Sequence, residues 1–164
     1  FTLPMDGYHI PLKELRESEN SADLIYRRGA PDTFAFGKFR EDVVRLSNVE
    51  IGGDRSEKLA FPGFDHAKGD PMDGVHVYSN QRIIIVEGLY LFRNSWNLID
   101  LFNEKIFIEK DLDACVERLK IRNLCIPGYT PDEIRTRCEK VDRVNGMQVL
   151  EDKVNASFIV RPEF

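Results

Sequence analysis

Pro4-Met5-Asp6-Gly7-Tyr8-His9 decides the fold of this chain when it is set beside Ile83-Ile84-Ile85-Val86-Glu87-Gly88-Leu89-Tyr90-Leu91. Thr2 to Met5 reads as the end of a buried strand that runs into an Asp6-Gly7 turn. Arg82 to Val86 is an apolar, β-branched run suited to the middle of a parallel sheet, broken at Glu87-Gly88. An acidic residue directly after such a run stands at the carboxyl edge of a parallel sheet, where open α/β folds bind ligands. Taken singly, each segment has a plainer reading. Asp6-Gly7 is also how an ordinary β-turn looks, and Glu87 is also a strand end at a solvent edge.

Outward from these segments, strands and helices alternate without repeats. Pro11 to Glu17 reads as a short helix, and Phe39 to Leu46 as a longer one with Phe39, Val43 and Leu46 on one face. Ile51 to Arg55, holding Gly52-Gly53-Asp54, reads as a turn before a strand near Lys58 to Phe61. Val75 to Tyr78 alternates, and Lys105 to Glu109 and Ser157 to Val160 are further strands. Asp111 caps a helix with the stripe Leu112, Cys115, Val116 and Leu119. Thr130-Pro131-Asp132-Glu133 is a capping box that opens another, with the stripe Ile134, Cys138 and Val141 and a stop at Gly146. Such alternation predicts an α/β sandwich with a mostly parallel sheet.

Composition bounds the function. At 164 residues and 42% hydrophobic, the chain buries a real core and makes one domain. A net charge of −5 argues against nucleic acid as partner. The run Ile83 to Val86 is too short to span a bilayer, and no signal-peptide pattern appears, so no membrane partner is expected. Cys115, Cys125 and Cys138 have no metal-ligand spacing and read as free thiols of a reducing compartment, the cytoplasm. His9, His66 and His76 lack ligand spacing as well.

Three further motifs follow in order. They are Arg27-Arg28-Gly29-Ala30-Pro31-Asp32-Thr33-Phe34, then Phe61-Pro62-Gly63-Phe64-Asp65-His66 with Asp70-Pro71, then Arg118-Leu119-Lys120-Ile121-Arg122-Asn123. With Asp6 and Glu87, and with Asp142-Arg143-Val144-Asn145-Gly146, this series resembles the uridine kinase, phosphoribulokinase and pantothenate kinase-like branch of the P-loop kinases. The resemblance runs from Leu3 to about Val160, and the order of motifs is more specific than any one of them. It implies a P-loop NTPase-like α/β sandwich with a small β-hairpin substrate region and a helical lid.

The resemblance also implies roles. Asp6 would contact the acceptor hydroxyl as general base or positioner, because phosphoryl transfer depends mainly on placing the nucleophile. Tyr8, His9, Arg28, Phe64, Asp65 and His66 would line the acceptor pocket. Glu87 would support Mg²⁺ through a water, with Gly88 admitting a close backbone approach. Arg118 and Arg122 would close over ATP and grip phosphate oxygens, and Asp142 and Asn145 would frame the nucleotide. Ala35 stands where the family usually has an acid, and Asn123 where it usually has His. No Gly-x-x-x-x-Gly-Lys-Ser/Thr occurs anywhere. The expectation is therefore one kinase domain over residues 1–164 that lacks its P-loop strand and helix and is inactive by itself. Its acceptor would be a small-molecule hydroxyl, foremost a nucleoside such as uridine, with pantothenate, a ribosyl nicotinamide or a phosphosugar as alternatives. A catalytically silent interaction module is the alternative of another class.

Overall fold

The computed structural model describes residues 1–48, 58–78, 80–126 and 128–163. The expected turn at Ile51 to Arg55 lies outside them. Along the described residues run β1 (Thr2–Pro4), α1 (Leu12–Glu17), α2 (Ser21–Tyr26), α3 (Phe36–Ser47), β2 (Lys58–Asp65) and β3 (Asp70–Tyr78). Then follow β4 (Ile85–Glu87), β5 (Ile106–Ile108), α4 (Leu112–Arg122), α5 (Pro131–Arg137), α6 (Arg143–Glu151) and β6 (Phe158–Val160). β1 lies parallel to β4 with Leu3 opposite Val86 and Pro4 opposite Glu87. β5 lies parallel to β6, and β2 and β3 form an antiparallel hairpin with an irregularity between Phe61 and Gly63. The α/β class and the prevalence of parallel pairing follow the sequence reading.

The core lies on one side of β1 and β4. Met5, Tyr8, Phe34, Phe39, Val43, Tyr90, Leu91, Trp96 and Leu98 form its main cluster, and Leu3, Leu46, Phe61 and Val77 a second. α3 contributes Phe39, Val43 and Leu46, the face expected from their spacing. Each such side chain, fully buried, contributes roughly 1.5–3 kcal/mol of transfer free energy.

The expected central burial of Arg82 to Val86 is corrected. The strand is confined to Ile85–Glu87 and pairs only with β1 among the described residues. Alternate side chains on a strand face opposite ways. Ile84 and Val86 pack on the second cluster, whereas Ile83 is 72% and Ile85 55% exposed. β5 repeats the pattern, with Phe107 buried and Ile106 and Ile108 exposed.

The helical half is continuous beyond its expected stop. Asp111 caps α4 by accepting from the Ala114 amide at 2.9 Å, and the Thr130–Glu133 capping box is complete. α5 then passes through a π-helical turn, Cys138–Asp142, into α6. Gly146 lies inside α6 rather than ending it, and a Cβ there would stand 2.6 Å from Leu112 Cδ1. The glycine lets α6 lie directly on α4. α2 was not legible because it buries no side chain. Among the described residues no helix is long and apolar enough to cross a membrane, and the three cysteines are free thiols.

Candidate active site

Asp6 and Glu87 leave the sheet side by side. Glu87 ends β4 opposite Pro4, and Asp6 follows two residues later in the 3₁₀ turn Met5–Tyr8. The glycine after each carboxylate is required by packing. A Cβ on Gly7 would stand 2.4 Å from the Pro62 carbonyl oxygen, so the hairpin rests on the Asp6 turn. A Cβ on Gly88 would stand 2.5 Å from Met5 Cβ, so the chain leaving β4 rests on the end of β1. The Glu87 carboxyl is raised above the ordinary range, first by burial and then by the Asp6 charge, with His66 opposing.

The hairpin supplies an aromatic wall. The His9 ring lies 4.1 Å from that of Phe34 and 5.1 Å from that of Phe64, and Phe64 meets His66 edge-on at 5.2 Å. His9 Nδ1 lies 2.9 Å from the Asp6 carbonyl oxygen. A carbonyl only accepts, so this nitrogen carries the hydrogen. Burial lowers the His9 pKa despite that bond, which favours the neutral ring. The structure thus brings Asp6, Glu87, His9, Phe64 and His66 together.

Three expected acceptor residues have other work. Tyr8 is 1% exposed: its ring packs on Phe39, and its hydroxyl donates to Asp42 Oδ2 at 3.1 Å. Burial pushes its phenol far above the usual range, and the residue belongs to the core rather than to an open pocket. Arg28 donates to Asp70 Oδ1 at 2.8 Å, to the Ile10 carbonyl at 3.2 Å and to the Gly69 carbonyl, locking the hairpin turn to the chain before α1. Asp65 accepts from the amides of Ala67 (3.0 Å) and Lys68 (3.2 Å), so its carboxylate holds the hairpin turn.

An ATP-dependent kinase-like protein of Aspergillus versicolor is 34% identical over 156 residues, which are 92% of this chain and 89% of the relative. A Schizosaccharomyces pombe protein assigned as a uridine kinase is 31% identical over 165 residues, covering 97% of this chain and 68% of its own. YFH7 of Saccharomyces cerevisiae, a P-loop containing kinase with a circular permutation, superposes with a TM-score of 0.83 at 24% identity. That match covers 99% of this chain and 58% of YFH7. No family model matches the chain.

The chain belongs to the P-loop kinases. In this kinase Arg118 and Arg122 project from α4 as exposed side chains four residues apart, with no carboxylate partner among the described residues. Lys120, between them, is instead tied to Glu117 at 2.7 Å and Glu139 at 2.6 Å. A 3₁₀ turn, Asn123–Cys125, follows α4, and beyond it Gly128 has a φ of 87°. Asn123, where the family usually has His, is buried, and its amide reaches Cys138 Sγ at 3.8 Å. It joins α4 to the π-helical turn.

Asp142 does not stand free as a ligand group. It lies 3.4 Å from Arg137 Nη1, and Arg137 in turn donates to the carbonyls of Tyr26 (3.0 Å) and Arg28 (2.8 Å). Arg137 therefore fastens the end of α5 to the segment that closes α2. Sequence reasoning missed it because a lone arginine on a helix carries no signal of partners so distant along the chain. Asn145 is buried and lines a cavity between α6 and residues 30–32, away from Arg118 and Arg122 in the lining.

Proposed function

We propose that this chain forms the acceptor site and lid of an enzyme that transfers the γ-phosphoryl group of ATP to a hydroxyl of a small molecule, foremost a nucleoside. The observation that carries this reading is the pair Asp6 and Glu87 at the carboxyl ends of parallel strands, beneath the wall of Phe64 and His66. The Asp6 side chain is 49% exposed, and among the described residues its one ion-pair contact is with His9 at 3.9 Å, whose charge burial disfavours. It is free to orient a hydroxyl and take its proton. Arg118 and Arg122 are placed on an exposed helix edge suited to bidentate phosphate contacts.

Mg²⁺ fits as a cofactor of this site rather than as a resident metal. Among the described residues no cluster of three His, Cys, Asp or Glu side chains exists to hold it. Glu87, raised by burial and then by its acidic neighbour, has no ion pair among the described residues and would offer one oxygen donor, with phosphate oxygens and water as the others. When bound, the ion neutralises charge on the phosphates. No Gly-x-x-x-x-Gly-Lys-Ser/Thr phosphate cradle is among the motifs of residues 1–164. We infer that the 164-residue chain alone binds ATP poorly.

The test is an ATP-dependent phosphorylation assay of the complete kinase on uridine, cytidine, fructose and pantothenate, with Asp6→Asn alongside. Transfer to one acceptor with kcat lowered about 10²-fold or more in Asp6→Asn is expected. Asp6→Asn within twofold of the parent would reduce Asp6 to a turn residue. Micromolar ATP affinity of the 164-residue chain would refute the missing cradle. No transfer to any acceptor, with Arg118→Lys and Arg122→Lys equally without effect on nucleotide binding, would favour an interaction module.

A further inference from the structure

The cavity between α6 and residues 30–32 has features that the phosphoryl-transfer site does not use. Its volume is about 300 Å³, the size of a small metabolite, and it shares no lining residue with the Asp6–Glu87 cluster. Arg27, Asp32, Arg93, Lys140, Asn145 and Gln148 are its polar lining.

The charges there do not cancel. Arg27 is neutralised by Asp32, through two bonds of 2.8 and 2.9 Å, and by Asp23 at 2.8 Å. Among the described residues the Arg93 guanidinium bonds only to the neutral Gln148, donating to its Oε1 at 2.8 Å, which leaves further guanidinium donors. Asp152 feels the Arg93 charge but lies beyond ion-pair distance. Lys140 has no ion pair among the described residues. Two cations therefore face one cavity without carboxylate partners, in a chain whose net charge is −5.

Asn145 adds a second, independent observation. It is 7% exposed, lines the cavity, and its side-chain amide makes no hydrogen bond among the described residues. The amide is not sealed from solvent, since among the described residues Arg28 Nε is the one buried side-chain polar atom without a partner; the Asn145 donors and acceptor are available at the cavity. An amide left open beside two free cations marks a place for an acceptor-rich anion. We propose that this cavity binds a small molecule bearing a phosphate or carboxylate group, held by Arg93 and Lys140 and hydrogen-bonded by Asn145. Gln148 orients Arg93. The site shares no lining residue with Asp6, Glu87, Phe64 or His66, so its occupancy is tested separately from phosphoryl transfer.

The experiment is a titration of the ¹⁵N-labelled 164-residue chain with inorganic phosphate and, separately, with malonate, each against sodium chloride at matched ionic strength. The side-chain amide signals of Asn145 and Gln148 are followed by NMR. The expected result is a saturable shift of the Asn145 pair with at least one probe, weakened about tenfold in Arg93→Gln or Lys140→Gln, as loss of a charge-assisted hydrogen bond predicts. Asp6→Asn leaves it unchanged. Saturation by phosphate alone or by malonate alone identifies the group taken. Shifts no larger than in sodium chloride, or saturation that survives both cation variants, overturn the proposal. Lys140 is exposed, so Lys140→Gln keeps the test valid even where Arg93→Gln fails to fold.

Discussion

Gly7→Ala tests whether the hairpin is seated on the Asp6 turn. The added methyl would stand 2.4 Å from the Pro62 carbonyl oxygen, 2.8 Å from the Pro62 carbonyl carbon and 3.1 Å from the Gly63 oxygen. All three are backbone atoms, so no rotamer change relieves the clash. Carbon–oxygen contacts close at about 3.3 Å, so the strand must retreat by roughly 0.9 Å at its irregular point between Phe61 and Gly63. Overpacking of this kind costs about 1–3 kcal/mol. For a chain of this length that is a fall in Tm of roughly 2–12 °C, read by thermal denaturation. The same retreat carries Phe64 and His66 away from Asp6, and a misplacement near 1 Å costs about 10²-fold in kcat/KM of the complete kinase. Gly37→Ala is the control: nothing lies within 4 Å of its Cβ, and in α3 it should be neutral or stabilising by up to about 1 kcal/mol. A Gly7→Ala protein with the parent's Tm and activity would refute the close approach of hairpin and turn.

Tyr8→Phe should cost about 1–2 kcal/mol in chemical denaturation, through the lost bond to buried Asp42, while KM stays unchanged; a raised KM would return Tyr8 to the acceptor pocket. Glu87 has a raised pKa in the fold, so the folded chain binds the proton more tightly than the unfolded one, and stability falls as pH rises through the ordinary glutamate value of about 4.3 and on to the raised one. Glu87→Gln should therefore raise Tm at pH 7 and lose that advantage by about pH 4; equal gains at both pH values would rule out the charge as cause. His9 has the opposite shift: its contribution is complete above about pH 6.5 and is lost as pH falls below it, a decline that His9→Gln should remove from a Tm-against-pH curve. Arg118→Lys and Arg122→Lys should each lower kcat of the complete kinase because Lys lacks the planar fork, with Tm little altered since exposed charges are worth about 0–1 kcal/mol. Unchanged kcat in both would leave α4 without a phosphate role.

The sequence by itself determined what neighbouring residues decide. The apolar strand before Glu87, the caps at Asp111 and Thr130, the stripe of α3 and the order of motifs were legible because each depends on spacing within a few residues. The meeting of Asp6 with Glu87 was decided by the parallel pairing of β1 with β4, which brings the two carboxyl ends to one edge. Side-chain duties were decided only by tertiary structure. Tyr8 and His9 are adjacent in the chain, yet one is buried on Phe39 and Asp42 and the other stacks on Phe34 and Phe64. Arg28 and Asp65 look like pocket residues until the turn they hold is seen, and Arg137 gains meaning only beside Tyr26 and Arg28. Gly146 reads as a helix stop, but it lies inside α6, where a side chain would meet Leu112 of α4. Partners far apart in the chain leave no local pattern, and it is their packing that assigned these residues their work.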